Sequence, residues 1–358
     1  MTGIYFHIPF CARKCPYCDF YSVPYRKNSA EDYVQAILRN LDDYQISDAV
    51  DSIYFGGGTP SLLSVSQISE ILEACAKNFK LNNPEITLEY NPTRTNLEHL
   101  KDLHIAGINR LSIGTQSFSD SELKLLGRTH TAEQNLQTIQ NAIKAGFQNI
   151  SCDLMLALPY QSEKILAETL RILLSLPIQH VSAYLLQLEE HTEFYHNPEI
   201  LDNLPDEDSS ADRYLQTVET LAKVGFQQYE VSSFAKSRFE SRHNLKYWNC
   251  QDYLGIGAGA HSCMKNRRFS IEKNIQKFCE DAIQEEITIS EDACNPEERL
   301  MLALRTSKGV PVEALSLNAQ KKLSALIKAN YIKSENQKIS LTPKGFAVSN
   351  AVIAMLLE

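Results

Sequence analysis

Gly3-Ile4-Tyr5-Phe6-His7-Ile8-Pro9-Phe10-Cys11-Ala12-Arg13-Lys14-Cys15-Pro16-Tyr17-Cys18 is the stretch from which the rest of the chain can be read. The apolar run Ile4–Ile8 reads as a buried strand, and it leads straight into three cysteines spaced Cys-x3-Cys-x2-Cys. Thiolates are soft ligands that suit iron–sulfur clusters or zinc. A structural zinc site takes four ligands, usually from paired Cys knuckles, and no second pair is present. His7, the nearest histidine, lies inside the strand four residues before Cys11. Covalent haem attachment needs Cys-x2-Cys-His, but Asp19 follows Cys18. The spacing therefore favours a 4Fe-4S cluster on Cys11, Cys15 and Cys18 with one iron left open, and zinc is the alternative.

Downstream, short apolar strands alternate with amphipathic helices. The strands are expected at Ile4–Ile8, Ser52–Phe55, Ile86–Tyr90, Arg110–Ile113, Ile150–Leu154 and His180–Leu186. Capping boxes are read at Ser64/Gln67, Thr95/Glu98, Ser119/Glu122 and Thr131/Gln134. Tyr33, Ile37, Leu41 and Tyr44 form one helical stripe, and Gly107, Gly146 and Gly225 stand where helices should stop. Six βα units imply a parallel sheet. Their motifs cluster at the strand ends, which converge on one face only if the sheet curves. The expected fold is α/β, a partial (β/α)6 TIM-like barrel with a small α+β, winged-helix-like C-terminal domain. The expected domains are a core at 1–235, a connecting region at 236–290 and an accessory domain at 291–358. In that last domain, helices are read at Asn295–Leu304, Pro311–Leu315, Ala319–Ala329 and Lys344–Leu357, with a hairpin at Tyr331–Leu341.

Composition narrows the classes further. The chain has 358 residues, 43% of them hydrophobic and 22% charged, as in ordinary globular proteins. No apolar run approaches the roughly 18–20 residues that span a bilayer, and no signal peptide is read, so a cytoplasmic location is expected, peripheral to a membrane at most. Of nine cysteines, Cys75, Cys152, Cys250, Cys263, Cys279 and Cys294 are scattered, and they read as small core residues rather than a disulfide framework. A net charge of −9 speaks against general nucleic-acid binding. The segment from Arg305 to Gly345 is locally basic, with eight Lys/Arg against two Glu. That reads as a solvated face or as a contact for an acidic partner, a membrane surface or RNA.

Further motifs follow the strands: Gly56-Gly57-Gly58-Thr59-Pro60, Glu89-Tyr90-Asn91-Pro92, Ser112-Ile113-Gly114-Thr115-Gln116-Ser117-Phe118, Gly127-Arg128-x-His130 and Asp153-Leu154-Met155. The glycine triplet is no phosphate loop, since no Gly-Lys-Ser/Thr follows. With the cysteine stretch, this series resembles the radical S-adenosylmethionine superfamily, in the branch of oxygen-independent coproporphyrinogen III dehydrogenases (oxidases) and their relatives. The resemblance implies that Tyr5, Gly57 and Glu89 contact S-adenosylmethionine on the open iron. It implies that Gly58, Thr59, Gln116, Arg128 and Asp153 contact a second molecule of it. Read as plain structure, Tyr5 belongs to the core, Glu89 caps the next turn, and Arg128 pairs with Asp153.

Two features depart from the dehydrogenases. They carry a fourth cysteine where this chain has Phe20, and a sizeable segment where only ten residues precede Cys11. A third feature, Arg242-His243-Asn244-Leu245-Lys246-Tyr247-Trp248, resembles the haem-binding signature of haem chaperones on the same scaffold. His and Tyr are axial haem ligand types, and a flat Trp packs on a porphyrin face. His243, Tyr247 and Trp248 are therefore the candidate haem residues, with His261 as the runner-up ligand and Gly257 and Gly259 allowing close approach of a large ligand. An accessible pocket is expected, since cargo must leave. As plain structure, His243 is a hydrogen-bonded core residue and Tyr247 and Trp248 are packing. The resemblance implies a haem chaperone with a 4Fe-4S cluster and S-adenosylmethionine, passing haem to acceptor haem proteins, respiratory ones included, at the membrane surface. A coproporphyrinogen III dehydrogenase or another radical enzyme of porphyrin metabolism is the alternative. A nucleotide-modifying enzyme that contacts RNA through the basic segment is a third reading. No nucleic acid partner is expected, and a homodimer bridged by haem stays open.

Overall fold

The computed structural model describes residues 1–93, 95–281 and 283–358. The strands that build the sheets are β1 (Thr2–Ile8), β2 (Val50–Gly57), β3 (Leu81–Tyr90), β4 (Arg110–Gln116), β5 (Ile150–Leu156), β6 (His180–Leu185), β7 (Gln227–Gln228), β8 (Ser233–Ala235), β9 (Tyr253–Ile256), β10 (His261–Met264), β11 (Arg267–Ile271), β12 (Glu286–Ser290), β13 (Val310–Pro311), β14 (Ile332–Glu335) and β15 (Lys338–Leu341). All six expected βα strands form, most of them longer than the apolar run alone indicated. The chain divides into two compact units, 1–152 with 188–196 and 251–293, and 153–187 with 197–250 and 294–358.

In the first unit the order is β12-β11-β10-β9-β1-β2-β3-β4. β1 to β4 run parallel, joined by the helices Lys27–Asp43, Val65–Asn78 and Leu97–Ile105. Both faces of such a sheet are covered, so its strands are apolar almost throughout. Ile4, Phe6, Ile8, Ile53, Phe55, Leu88, Leu111 and Ile113 are all buried. β9 lies parallel to β1 on the other side, and β10, β11 and β12 continue antiparallel. In the second unit the order is β5-β6-β8-β7, with β8 antiparallel to both neighbours. β12 is an edge strand in the first unit and β7 in the second, so the sheet is mixed and open rather than a closed barrel.

Some local expectations give way. Ser64/Gln67 and Thr131/Gln134 are full capping boxes. The helix expected to start from Thr95 starts instead at Leu97, because Asn96 accepts hydrogen bonds from the Glu98 and His99 amides. Ser119 makes no side-chain cap, and Glu122 accepts a 2.5 Å bond from Ser117 instead. Tyr44 ends its helix rather than extending it, and its hydroxyl bonds Glu286 at 3.0 Å. The small sheet β13-β15-β14 carries the expected hairpin, turned by Asn336 and Gln337 at positive φ. The last helix is two, Pro343–Ala347 and Ser349–Leu357, broken at Val348. Among the described residues, no helix is long and apolar enough to cross a membrane.

Candidate functional site

Strand register assembles the site. β1 and β2 pair with Tyr5 opposite Tyr54, His7 opposite Gly56 and Ile8 opposite Gly57, so the cysteine loop and the glycine triplet leave the sheet side by side. The Gly58 amide donates to Ile8 O at 2.9 Å and the Thr59 amide to Phe10 O at 2.7 Å. Those two bonds hold the backbone that leads into Cys11. They also explain the triplet. A Cβ on Gly58 would stand 2.7 Å from Phe10 O, and one on Gly57, at φ +107°, 2.6 Å from the His7 ring.

A second loop closes from the far side. Gly127, at φ +67°, lies against Pro16, and a Cβ there would stand 2.6 Å from the proline ring. Arg128 donates to Cys15 Sγ at 3.6 Å and to Gly114 O at 3.1 Å, while its Nε–H is buried with no partner. Thr59 Oγ1 donates to Cys11 Sγ at 3.6 Å. Segment 188–196 completes the clasp: the Phe194 amide donates to Pro16 O at 3.1 Å, the Phe194 ring meets Tyr17, and His191 pairs with Asp19. Gly127 on Pro16 and Phe194 on Tyr17 escaped the sequence reading, because neither belongs to a pattern with a period. Phe20 is 65% exposed.

The electrostatics follow from burial and from this clasp. Desolvation, followed by the neighbouring Cys15 and Cys11, raises the Cys18 thiol. Desolvation pushes the Tyr17 phenol far up despite the nearby Arg128. Desolvation alone would lower Arg128, but Tyr17 and Cys15 outweigh it and raise it. His7 is lowered to about 4, chiefly by burial. Its Nε2 faces Tyr21 O at 3.1 Å, and a carbonyl can only accept, so Nε2 carries the proton and Nδ1 accepts from Tyr5 Oη at 3.0 Å. Glu89 turns toward the glycines: its carboxylate accepts from Gly57 N at 3.2 Å and Tyr54 Oη at 3.0 Å. Tyr5 is half-buried rather than part of the closed core, and Gln116 holds a left-handed φ of +61° at the end of β4.

These residues fit the group that the spacing calls for. Three half-buried thiols share one loop, with hydroxyl and guanidinium donors aimed at two of them. Such donors stabilise thiolates and tune a cluster. Among the described residues, no three His, Cys, Asp or Glu side chains are grouped around one metal ion. The buried Nε–H of Arg128 has no acceptor among the described residues, which suits a site that takes a polar ligand.

The haem candidates divide between the two units. Asp153 belongs to the second unit, where its charge helps raise the Tyr184 phenol after desolvation. His243, Tyr247 and Trp248 sit in the same unit on the seven-residue helix Arg242–Trp248. The i,i+4 spacing places Tyr247 Oη 2.9 Å from His243 Nε2 with the rings edge to face, and His243 is 0% exposed. The expected open pocket at His243 is therefore closed by its own helix. Gly257 and Gly259 approach protein rather than a ligand. A Cβ on Gly257 would stand 2.4 Å from Tyr33 Oη, and one on Gly259 3.1 Å from the Tyr21 ring. His261 is exposed at the start of β10 in the first unit, and burial of its ring edge, then Lys273, lowers its pKa.

Comparison with known proteins shows the family and the fold. Residues 5–173 match the model of the radical SAM superfamily, and residues 295–348 match that of the HemN C-terminal domain. The chain is similar to the protein named heme chaperone HemW of Lactococcus lactis, 36% identical with 99% of this chain and 97% of the relative covered. It is also similar to heme chaperone HemW of Haemophilus influenzae, 35% identical with 99% and 97% covered. The solved structure of coproporphyrinogen III oxidase (HemN) from Escherichia coli, a radical SAM enzyme, shares the fold. Its TM-score is 0.84 at 23% identity, covering 99% of this chain and 89% of that one.

Proposed function

This chain belongs to the HemN-like branch of the radical S-adenosylmethionine superfamily, together with proteins named as HemW haem chaperones, and from that premise we propose that it binds haem and passes it to acceptor haem proteins. The observation that carries the reading is likeness to those chaperones over 99% of the chain. Cys11, Cys15 and Cys18 would hold a 4Fe-4S cluster, which supplies an electron and an open iron for S-adenosylmethionine. Thr59 and Arg128 donate hydrogen bonds to the Cys11 and Cys15 sulfurs and hold them in place. Tyr5, Gly57 and Glu89 would bind S-adenosylmethionine at the open iron. Glu89 is already oriented by Tyr54 and the Gly57 amide, and Tyr5 by neutral His7. Gly58, Thr59, Gln116 and Arg128 would contact a second molecule of it, with Arg128 Nε the donor in want of an acceptor.

Haem is the cargo in this reading. Tyr247 Oη occupies His243 Nε2, so iron ligation through that nitrogen requires the hydrogen bond to open. A ligand reached by opening one short helix suits a carrier that must also release. Delivery to respiratory haem proteins at the inner face of a membrane belongs to the same proposal, as does a cytoplasmic location.

The test is haem titration of anaerobically reconstituted protein with His243→Ala beside it. Loss of the axial ligand is expected to weaken binding about tenfold or more. Unchanged affinity together with an unchanged Soret spectrum would exclude His243. Incubating reduced, cluster-loaded protein with S-adenosylmethionine and coproporphyrinogen III is expected to give no protoporphyrinogen, and its formation would replace the chaperone reading with the dehydrogenase one.

A further inference from the structure

We propose that Cys250 and Cys294 close into a reversible disulfide that staples the helix carrying His243 to the first helix of the HemN-type domain. The two thiols lie in hydrogen-bonding contact, and both belong to the second unit. The chain leaves that unit directly after Cys250 and re-enters it at Cys294. Helix Pro296–Leu304 packs on helix Arg242–Trp248, and each cysteine lies just beyond one of those helices.

The backbone marks the positions independently. Cys250 has φ +50° and Cys294 φ +61°, a left-handed conformation that L-residues rarely adopt. Local bonds hold both there: the Cys250 amide donates to Tyr247 O at 3.3 Å, and the Cys294 amide donates to Glu298 Oε2 at 2.6 Å. Cys250 is half-exposed and Cys294 is buried. The outer thiol is therefore the point of attack and the inner one resolves.

The exchange balances with a small-molecule disulfide as the oxidant. Cys250 sulfur attacks one sulfur of that disulfide and expels the first small thiol. Cys294 sulfur then attacks Cys250 sulfur in the mixed disulfide and expels the second. One S–S bond breaks, one forms, and both protein thiol protons pass to the two small thiols. Burial, and then donation of its proton toward Cys294, push the Cys250 thiol up to about 12. Closure at neutral pH is therefore slow, on the scale of minutes to hours, and accelerates as pH rises.

The experiment uses the full-length, cluster-loaded protein under anaerobic conditions with oxidised glutathione as the probe. Thiols are then alkylated, and the protein is digested without reduction and examined by mass spectrometry. Fragment ions must assign the bridge to Cys250 rather than Cys263, and to Cys294 rather than Cys279, since tryptic cleavage leaves each pair on one peptide. The expected result is a Cys250–Cys294 cross-link that a reductant reverses and that Cys250→Ser abolishes. The bridged form is expected to melt a few degrees higher than the reduced form. Full alkylation of both thiols after prolonged oxidation, a lasting glutathione adduct on Cys250 with Cys294 still alkylated, or a bridge to any other cysteine would each overturn the proposal. The wild-type digest decides the matter even if the variant fails to fold.

Discussion

Gly58 shows how one missing methyl can hold the cysteine loop in place. Its amide and that of Thr59 anchor the carbonyls of Ile8 and Phe10, and a Cβ would push directly on both carbonyls. Gly58→Ala is expected to destabilise the fold by about 1–3 kcal/mol, in the range of small-to-large changes in packed sites. It should also lower iron and sulfide content per chain after anaerobic reconstitution; full cluster content in a folded variant would refute that role. The histidines set a pH limit. His7 and His130 are both buried, and burial lowers each from 6.5 to about 4. The unfolded chain therefore binds more protons than the native one between about 4 and 6.5, so stability rises with pH across that window. It is fully present above 6.5 and lost as pH falls toward 4. Each ring contributes about 3 kcal/mol, as an order of magnitude. Urea midpoints measured from pH 7 to pH 4 should fall, and the slope should flatten in His130→Gln. A midpoint independent of pH in that range would contradict the assignment.

At the scale of elements, a single side chain joins a helix to a strand. Gln284 Oε1 accepts from the Gly257 amide at 3.2 Å, its Nε2 donates to Tyr44 Oη at 2.7 Å, and its own amide donates to Asn40 Oδ1 at 2.7 Å. Helix Lys27–Asp43 is thereby tied to the end of β9, with Tyr33 Oη bonding His7 O and the Ala258 amide between them. Removing a buried partner leaves its donors and acceptors unsatisfied. Gln284→Ala is expected to cost about 2 kcal/mol, read as a shift in the denaturation midpoint with an unchanged slope. A shift under half a kcal/mol would show that water replaces the side chain there. Nothing periodic marks Gln284 in the sequence, whereas the capping boxes at Ser64 and Thr131 were legible because their chemistry is local. The missed caps share one cause: at Thr95 and Ser119 a neighbouring polar side chain, Asn96 or Ser117, offered a better-placed partner.

Across the whole molecule, charge is unevenly distributed: −9 overall, but eight Lys/Arg against two Glu between Arg305 and Gly345. Lys308, Lys321, Lys328, Lys333, Lys338 and Lys344 are exposed. Binding to single-stranded RNA at about 200 mM salt is expected to be weak and non-saturating, because a few phosphate contacts do not survive that ionic strength. Saturable binding there would revive a nucleic-acid role. Periodicity and spacing marked the six βα units and the three-cysteine loop, and the resemblance of the motif series pointed to the superfamily. Hydrophobic runs, glycine positions and cysteine spacing are local constraints that a linear string records. The open, mixed sheet, the clasp of Gly127 and Phe194 on the cysteine loop, the burial of His243 under Tyr247 and the pairing of Cys250 with Cys294 were decided only in three dimensions. Each depends on residues far apart in the chain, or on side-chain directions, that meet only once strand register and helix packing are set.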